Sequence, residues 1–177
     1  MHLPIEEAAD ACGEMVWICD ALFTTWGRWS TDEPDPAARV HWAVASRRHG
    51  TWAPAWRDLL PTSPQLDAPT RIRGAEPWQA VFGDLDGADL DTATRLAVAA
   101  DVVLPALHAG LEALLAGSGE IADAPMRRVI RAHFADVEDE TSSAAALVAP
   151  LAAGVDGDRV AAVAAHIADM GPSGGDA

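Results

Sequence analysis

The chain has 177 residues, and its 12 cationic residues are all Arg against 27 Asp and Glu, so the net charge is −15. This charge repels a phosphate backbone, and scattered Arg residues form no obvious basic patch, so we expect no nucleic-acid binding. Half of the residues are hydrophobic, which excludes a disordered chain. The length fits one domain, predicted here at residues 1–170, followed by a flexible tail at 171–177.

The sequence also argues against membrane insertion and export. No apolar run reaches the roughly 18 residues that a membrane-spanning helix needs. The N-terminal residues lack the basic and apolar regions of an export signal. We therefore expect a cytoplasmic protein with no membrane partner, and the absence of Lys is typical of a GC-rich bacterial genome.

Hydrophobic periodicity predicts an all-α fold. The predicted helices span about residues 5–29, 36–60, 90–116, 124–149 and 158–170. Asp35 and Asp123 each precede a proline-started helix, and they are predicted N-caps. Prolines at positions 54 and 105 lie inside predicted helices and should kink them. Residues 61–91 are rich in Pro and Gly, so we expect a long connection with one short helical turn near residues 77–82.

The order of these helices predicts a topology. Short loops make the first and second helices antiparallel neighbours, and likewise the third and fourth, while the long connection makes the second and third parallel. This layout over residues 10–150, together with the composition of residues 36–61, resembles the ferritin-like four-helix bundle. The resemblance implies two helical hairpins, a long crossover between helices 2 and 3, and here a short C-terminal fifth helix.

The metal-binding signature of this family is missing from the chain. Ferritin-like di-metal proteins carry a Glu on two helices and a Glu-x-x-His motif on each of the other two. No Glu in this sequence is followed by His three residues later. The resemblance therefore does not carry over the di-iron chemistry, and we expect neither a metal nor another cofactor.

Polar residues are predicted to occupy the positions at which ferritin-like proteins hold their metals. At about 100° per residue, the buried face of the second helix is predicted to be centred on Val44 and Trp52, with Arg48 near its middle and His41 on the same face. An Arg at that position would repel a metal ion. It would also need a buried anionic partner, so we expect Arg48→Met to cost about 3 kcal/mol.

The fourth helix supplies the expected partners. His133 and Glu140 fall within its apolar stripe, and Asp136 falls at the edge. The candidate catalytic residues are His41, Arg48, His133, Asp136 and Glu140. Three interpretations stay open: a closed structural network, a pocket in which a His exchanges protons and Arg48 holds an anionic group, or a metal site that also uses His49.

Helical periodicity also predicts the positions of two tryptophans and two cysteines. Trp17 and Trp42 are predicted to point away from the apolar stripes, which suggests either a subunit interface or cover from residues 61–91. A homodimer is expected on this basis. Cys12 and Cys19 are two helical turns apart, too far for a disulfide, and are predicted to be reduced, buried thiols.

Three functions are compatible with these observations. The first is a metal-independent ferritin-like protein whose interior pocket binds or converts a small organic molecule, for example in bacterial specialised metabolism. The second is a non-enzymatic helical scaffold, which predicts a closed network and an apolar outer patch near Trp17 and Trp42. The third is a divergent di-iron oxygenase or hydroxylase. The sequence leaves open whether the protein is an enzyme.

Overall fold

A computed structural model describes residues 3–62 and 67–168, and within these ranges every regular element is helical. The all-α prediction is therefore confirmed. The predicted tail at residues 171–177 lies outside the described ranges. The helices are α1 (Ile5–Asp32), α2 (Pro36–Arg57), α3 (Ala68–Arg71), α4 (Glu76–Gly87), α5 (Thr92–Val98), α6 (Leu104–Gly117), α7 (Ala124–Val148) and α8 (Gly157–Ala168).

The two predicted N-caps behave differently. Asp35 Oδ1 accepts the backbone N–H groups of Ala37 at 2.9 Å and Ala38 at 2.8 Å, which satisfies donors that the first turn of α2 leaves free. Asp123 precedes α7 but makes no capping bond to it. Its carboxylate instead accepts the backbone N–H of Gly119 at 2.6 Å. The capping prediction is thus confirmed for Asp35 and wrong for Asp123.

The two internal prolines also differ in effect. α2 continues through Pro54 to Arg57 without a break. Before Pro105, a π-helical turn at Ala99–Val103 joins α5 to α6. A proline ring clashes with the carbonyl four residues earlier, and a wider turn relieves that clash. The predicted irregularity at Pro105 is confirmed in this form.

Contacts between named side chains give the helix directions. α1 and α2 form a hairpin, because only three residues separate them. Contacts along α7 join Cys12 to Met126 and Trp26 to Glu140, so α7 is parallel to α1. Contacts to α2 run in the opposite order and join His41 to Ser143 and Trp56 to His133.

α6 is antiparallel to α7, since His108 lies near Glu138 while Arg127 binds the carbonyl of Leu115. α2 and α6 consequently point in the same direction, in agreement with the predicted orientation of the second and third helices.

Trp42 lies inside the protein rather than on its surface. Its side chain is fully buried and packs against Trp26 and Trp29, with ring centroids 5.2 and 5.0 Å apart. The prediction that Trp42 points outward is therefore wrong. Trp17 is half-buried and meets Phe82 edge to face at 5.7 Å. Its predicted cover by the 61–91 connection is confirmed, and that connection holds the helix α4, longer than the predicted turn.

One continuous helical stretch, Thr92–Gly117, is long and apolar enough to cross a membrane. The expectation that no stretch would reach this length is therefore wrong. Buried core helices of soluble proteins can be equally long and apolar, so length and composition alone do not define a membrane span. Here the stretch packs against α7 and α8, and 44% of its most apolar window is buried.

Candidate functional site

Glu140 is the buried carboxylate at which α1, α2 and α7 meet. Its side chain is only 2% exposed. Trp26 Nε1 donates a hydrogen bond to Oε1 at 2.9 Å. His49 Nε2 lies 3.4 Å from Oε1 and 3.1 Å from Oε2. One residue from each of three helices is thereby joined in a single network.

The environment of Glu140 keeps its carboxylate charged. Burial alone would raise the pKa of Glu140, but the charge of His49 and hydrogen bonds from His49 and Trp26 outweigh burial and lower it. His41 adds a smaller effect in the same direction when it is protonated. Glu140 is therefore an ionised hydrogen-bond acceptor at neutral pH.

His133 is fully buried on α7 among aromatic side chains. Its Nδ1 accepts a hydrogen bond from Trp56 Nε1 at 3.1 Å. Trp52 stacks on the imidazole with ring centroids 4.9 Å apart. Burial, with a smaller contribution from the charge of His49, lowers the pKa of His133 well below its usual value. His133 is therefore neutral, with its proton on Nε2.

Asp136 lies one turn further along α7. Its Oδ2 accepts a hydrogen bond from Trp52 Nε1 at 3.0 Å. Its backbone carbonyl accepts a bond of 3.4 Å from Arg48 Nη1. The predicted edge position of Asp136 agrees with these contacts, but its carboxylate binds Trp52 rather than Arg48.

Arg48 lies at the edge of the buried face, not at its middle as predicted. Its side chain is 33% exposed, and its anionic partner within the described residues is the exposed carboxylate of Asp139, at 3.8 Å. The centre of the face is displaced from Val44, which is 39% exposed, toward Ala45 and His49. The predicted buried ion pair of Arg48 with Glu140 or Asp136 is therefore wrong.

His41 lies near the N-terminal end of α2, where α2 packs against the C-terminal half of α7. Its Nδ1 lies 3.1 Å from Ser143 Oγ, and its ring meets Trp42 edge to face. Its Nε2 is buried and has no hydrogen-bond partner in the described part of the chain. Burial lowers the pKa of His41, Glu140 opposes this, and Arg48 adds to it. His41 is therefore neutral at neutral pH.

A groove between α2 and α7 brings three of the predicted residues together. His41, Arg48 and Glu140 line a cavity of about 430 Å³, and most of the remaining wall is apolar. That volume falls in the range of small-molecule sites. Val40, Val44 and Leu147 supply much of the apolar wall. His133 and Asp136 do not line this cavity and lie one to two turns away along α7.

The sequence analysis identified His133 as a candidate, included His49 only in the metal-site alternative, and predicted Cys19 only as a buried thiol. Cys19, His49 and His133 are all buried, and each offers one possible ligand atom within 4.8 Å of the others. His49 falls two turns after His41, a spacing that puts both on one helix face. Cys19 lies seven residues before Trp26 in the apolar stripe of α1. The helical periodicity of the sequence predicts the face on which each of the two residues lies, but it does not predict which side chains they contact.

Comparisons of the chain with protein-family models, with curated proteins and with solved structures found no significant match. The functional argument therefore depends on the geometry of the groove and the buried network.

Proposed function

We propose that this protein binds a small organic molecule bearing an anionic group in the groove between α2 and α7. The observation that carries the proposal is the cavity of about 430 Å³ lined by His41, Arg48 and Glu140. Arg48 lies at its rim, where its Nη1 donates to the Asp136 carbonyl at 3.4 Å and its Nη2 has a long contact of 3.8 Å to Asp139. A carboxylate or phosphate group can displace Asp139 and form paired hydrogen bonds with the guanidinium.

The apolar wall determines which anions fit. Val40 and Val44 are 63% and 39% exposed, and burying such side chains contributes favourable free energy. A purely inorganic anion would leave this wall in water. The preferred ligand is therefore an organic anion with an aliphatic part that covers Val40 and Val44.

His41 gives the groove a group able to exchange protons. It is neutral at neutral pH, and its imidazole lines the cavity beside Ser143, to which Nδ1 is 3.1 Å distant. A neutral imidazole can accept a proton from a bound ligand. We therefore propose conversion of the ligand as an extension of binding, with His41 as the base.

The ferritin-like resemblance belongs to the same proposal. It is supported by the helix directions and by the long connection between α2 and α5. A di-iron oxygenase has less support, since the buried carboxylates among the described residues are Glu33 and Glu140. Glu33 lies 3.7 Å from Arg95, and Glu140 contacts Trp26 and His49, whereas a di-iron centre needs several carboxylates together.

The scaffold alternative loses its main argument. It required an outer apolar patch at Trp17 and Trp42, but Trp42 is fully buried and Trp17 is covered.

The homodimer and the cytoplasmic location stay predictions. Analytical ultracentrifugation of the purified protein and fractionation of producing cells measure them directly.

The test is a thermal-shift screen with small carboxylates and phosphate monoesters that carry aliphatic chains. A ligand at one hundred times its Kd should stabilise the folded protein by about 2.7 kcal/mol. Arg48→Met should abolish this stabilisation. Arg47→Met is the matched control, because Arg47 is the exposed neighbour on α2 and lies outside the groove.

The proposal fails if no compound in the screen raises the melting temperature. It also fails if the compounds that do so stabilise wild type and Arg48→Met equally. For a compound that passes, His41→Gln separates binding from conversion. Retained binding with loss of product would assign the proton transfer to His41.

A further inference from the structure

A second site lies apart from the lining of the groove, where Cys19, His49 and His133 converge from α1, α2 and α7. We call these three residues the Cys–His–His cluster. All three side chains are buried, and one possible ligand atom of each lies within 4.8 Å of the other two. Three soft or borderline donors from three different helices are thus held together by the fold.

Two nitrogens of this cluster have unused hydrogen-bonding capacity. His49 Nδ1 and His133 Nε2 are inaccessible to solvent and have no hydrogen-bond partner among the described residues. A buried polar atom without a partner costs about 1–3 kcal/mol. Two unpartnered nitrogens on residues that form a cluster with a thiol are readily explained by a ligand that all three residues share.

The contact between His49 and Glu140 orients one of these nitrogens. Because Nε2 lies 3.1 Å from the ionised carboxylate, the Nε2 proton points at Glu140. Nδ1 is then the ring nitrogen left to bind a ligand, and it is the unpartnered one. A carboxylate behind an imidazole is the usual outer partner of metal-ligating histidine, which it orients and makes more basic.

We propose that the Cys–His–His cluster binds one divalent transition-metal ion of the zinc type, with a fourth coordination position open. Thiolate and imidazole are the ligands that suit zinc and its borderline neighbours. In a tetrahedral site the ligand atoms are roughly 3.4 to 3.6 Å apart, so a separation within 4.8 Å requires only a small closing movement.

The charges balance around such an ion. Binding transfers the thiol proton of Cys19 to solvent and forms a sulfur–metal bond, which leaves a thiolate. The thiolate and the carboxylate of Glu140 together neutralise the two positive charges of the metal. Arg48, which the sequence placed in this interior, lies at the groove rim beside Asp139 and does not oppose the ion.

Trp56 opposes metal binding and makes the inference testable. Its Nε1 donates to His133 Nδ1 at 3.1 Å. If the metal binds Nδ1, Trp56 competes for the same lone pair. If the metal binds Nε2, the imidazole proton must move from Nε2 to Nδ1, where it meets the Trp56 N–H instead of a lone pair. In either case the Trp56 hydrogen bond must break, so Trp56→Phe should tighten metal binding by about fivefold.

The experiment is a titration of the reduced, chelator-treated full chain with Co²⁺, followed by displacement with Zn²⁺. The expected result is one Co²⁺ per chain, with tetrahedral visible bands and a thiolate-to-cobalt charge-transfer band, all lost on adding Zn²⁺. Cys19→Ser should lose the charge-transfer band. Cys12→Ser is the matched control, since Cys12 is the other free buried cysteine of the same helix.

Three results would overturn the inference. One is a folded wild-type protein that develops no charge-transfer band, and another is a band that persists in Cys19→Ser. The third is unchanged or weaker binding by Trp56→Phe, which would remove His133 from the ligand set. This inference goes beyond the proposed function and does not depend on it: Arg48→Met should retain Co²⁺ binding, and Cys19→Ser should retain the groove.

Discussion

His49 Nε2 lies 3.1 Å from Glu140 Oε2, and the two side chains are 1% and 2% exposed. A contact between ionisable groups this deep in the core is sensitive to the loss of either partner. Desolvating an ion costs several kcal/mol, and only its partner offsets that cost. The free energy of unfolding therefore depends on the negative charge of Glu140, which lies where α1, α2 and α7 pack together.

The first prediction concerns that charge. Glu140→Gln keeps an amide oxygen that can accept from Trp26, but it removes the negative charge facing His49. We expect a loss of about 3 kcal/mol in the free energy of unfolding, measured by urea denaturation. Glu138→Gln is the control, because Glu138 is exposed on the same helix and should change stability by less than about 0.5 kcal/mol. Equal effects of the two substitutions would contradict the buried pair.

The second prediction concerns pH. His133 has a lowered pKa in the folded protein, whereas in the unfolded chain its pKa is about 6.5. Below pH 6.5 the unfolded chain therefore binds more protons, and stability falls as the pH falls. His41 contributes in the same direction. Glu140, whose folded pKa is also lowered, loses its contribution only in more acidic solution, as the pH falls through that folded pKa.

Measurements of unfolding free energy between pH 7 and 5.5 isolate the histidine contribution. His133→Gln removes one titrating group and should flatten the slope by up to about 1.4 kcal/mol per pH unit. Its side-chain oxygen can still accept from Trp56. Parallel slopes for the wild type and His133→Gln would show that His133 is not held neutral by burial.

The fold class was predictable because its signals are local. Periodicity, the Asp35 cap and the positions of the prolines all act within a few residues of where they are read. The long connection also specified which helices run in the same direction. Asp123 was misjudged because its carboxylate has a competing donor in the preceding turn, the N–H of Gly119.

The candidate site was predictable only in part, because it depends on the phase of one helix. Val44 and Ala45 differ by only about 100° around α2, and centring the buried face on the first put Arg48 inside and Trp42 outside. The structure has the opposite arrangement. The residue types did not correct this choice, since Ala45 is less apolar than the adjacent Val44 and does not mark the centre of the buried face. Cys19 was consequently missed as a partner of His133, and His49 entered only the metal-site alternative.

The third prediction uses two glycines with opposite surroundings. A Cβ on Gly13 would lie 2.1 Å from the backbone oxygen of Arg71, whereas one on Gly110 would meet nothing within 4 Å. Gly13→Ala must push the α3 segment away from α1, and we expect a loss of about 1–3 kcal/mol. Gly110→Ala should gain up to about 1 kcal/mol, because Ala favours an exposed helix position. Thermal unfolding of both variants gives the signs, and a stable Gly13→Ala would contradict the close packing of α3.

The fourth prediction compares two arginines. The buried Arg network expected at Arg48 is found instead at Arg95, whose side chain is 10% exposed. Arg95 Nη1 lies 2.9 Å from Asp32 and 3.7 Å from the fully buried Glu33, and its guanidinium lies over the Trp29 ring at 5.5 Å. Removing Arg95 leaves the Glu33 carboxylate buried beside an apolar core.

Arg95→Met should therefore lower the free energy of unfolding by about 3–5 kcal/mol, the range for removing one member of a buried ion pair. Arg48→Met should lower it by less than about 1 kcal/mol, because its partner Asp139 is 75% exposed and solvent screens the pair. Urea denaturation of both variants at the same ionic strength measures the difference. A large loss of unfolding free energy in Arg48→Met would mean that Arg48 is buried and paired. It would also mean that this variant cannot be used to test ligand binding in the groove.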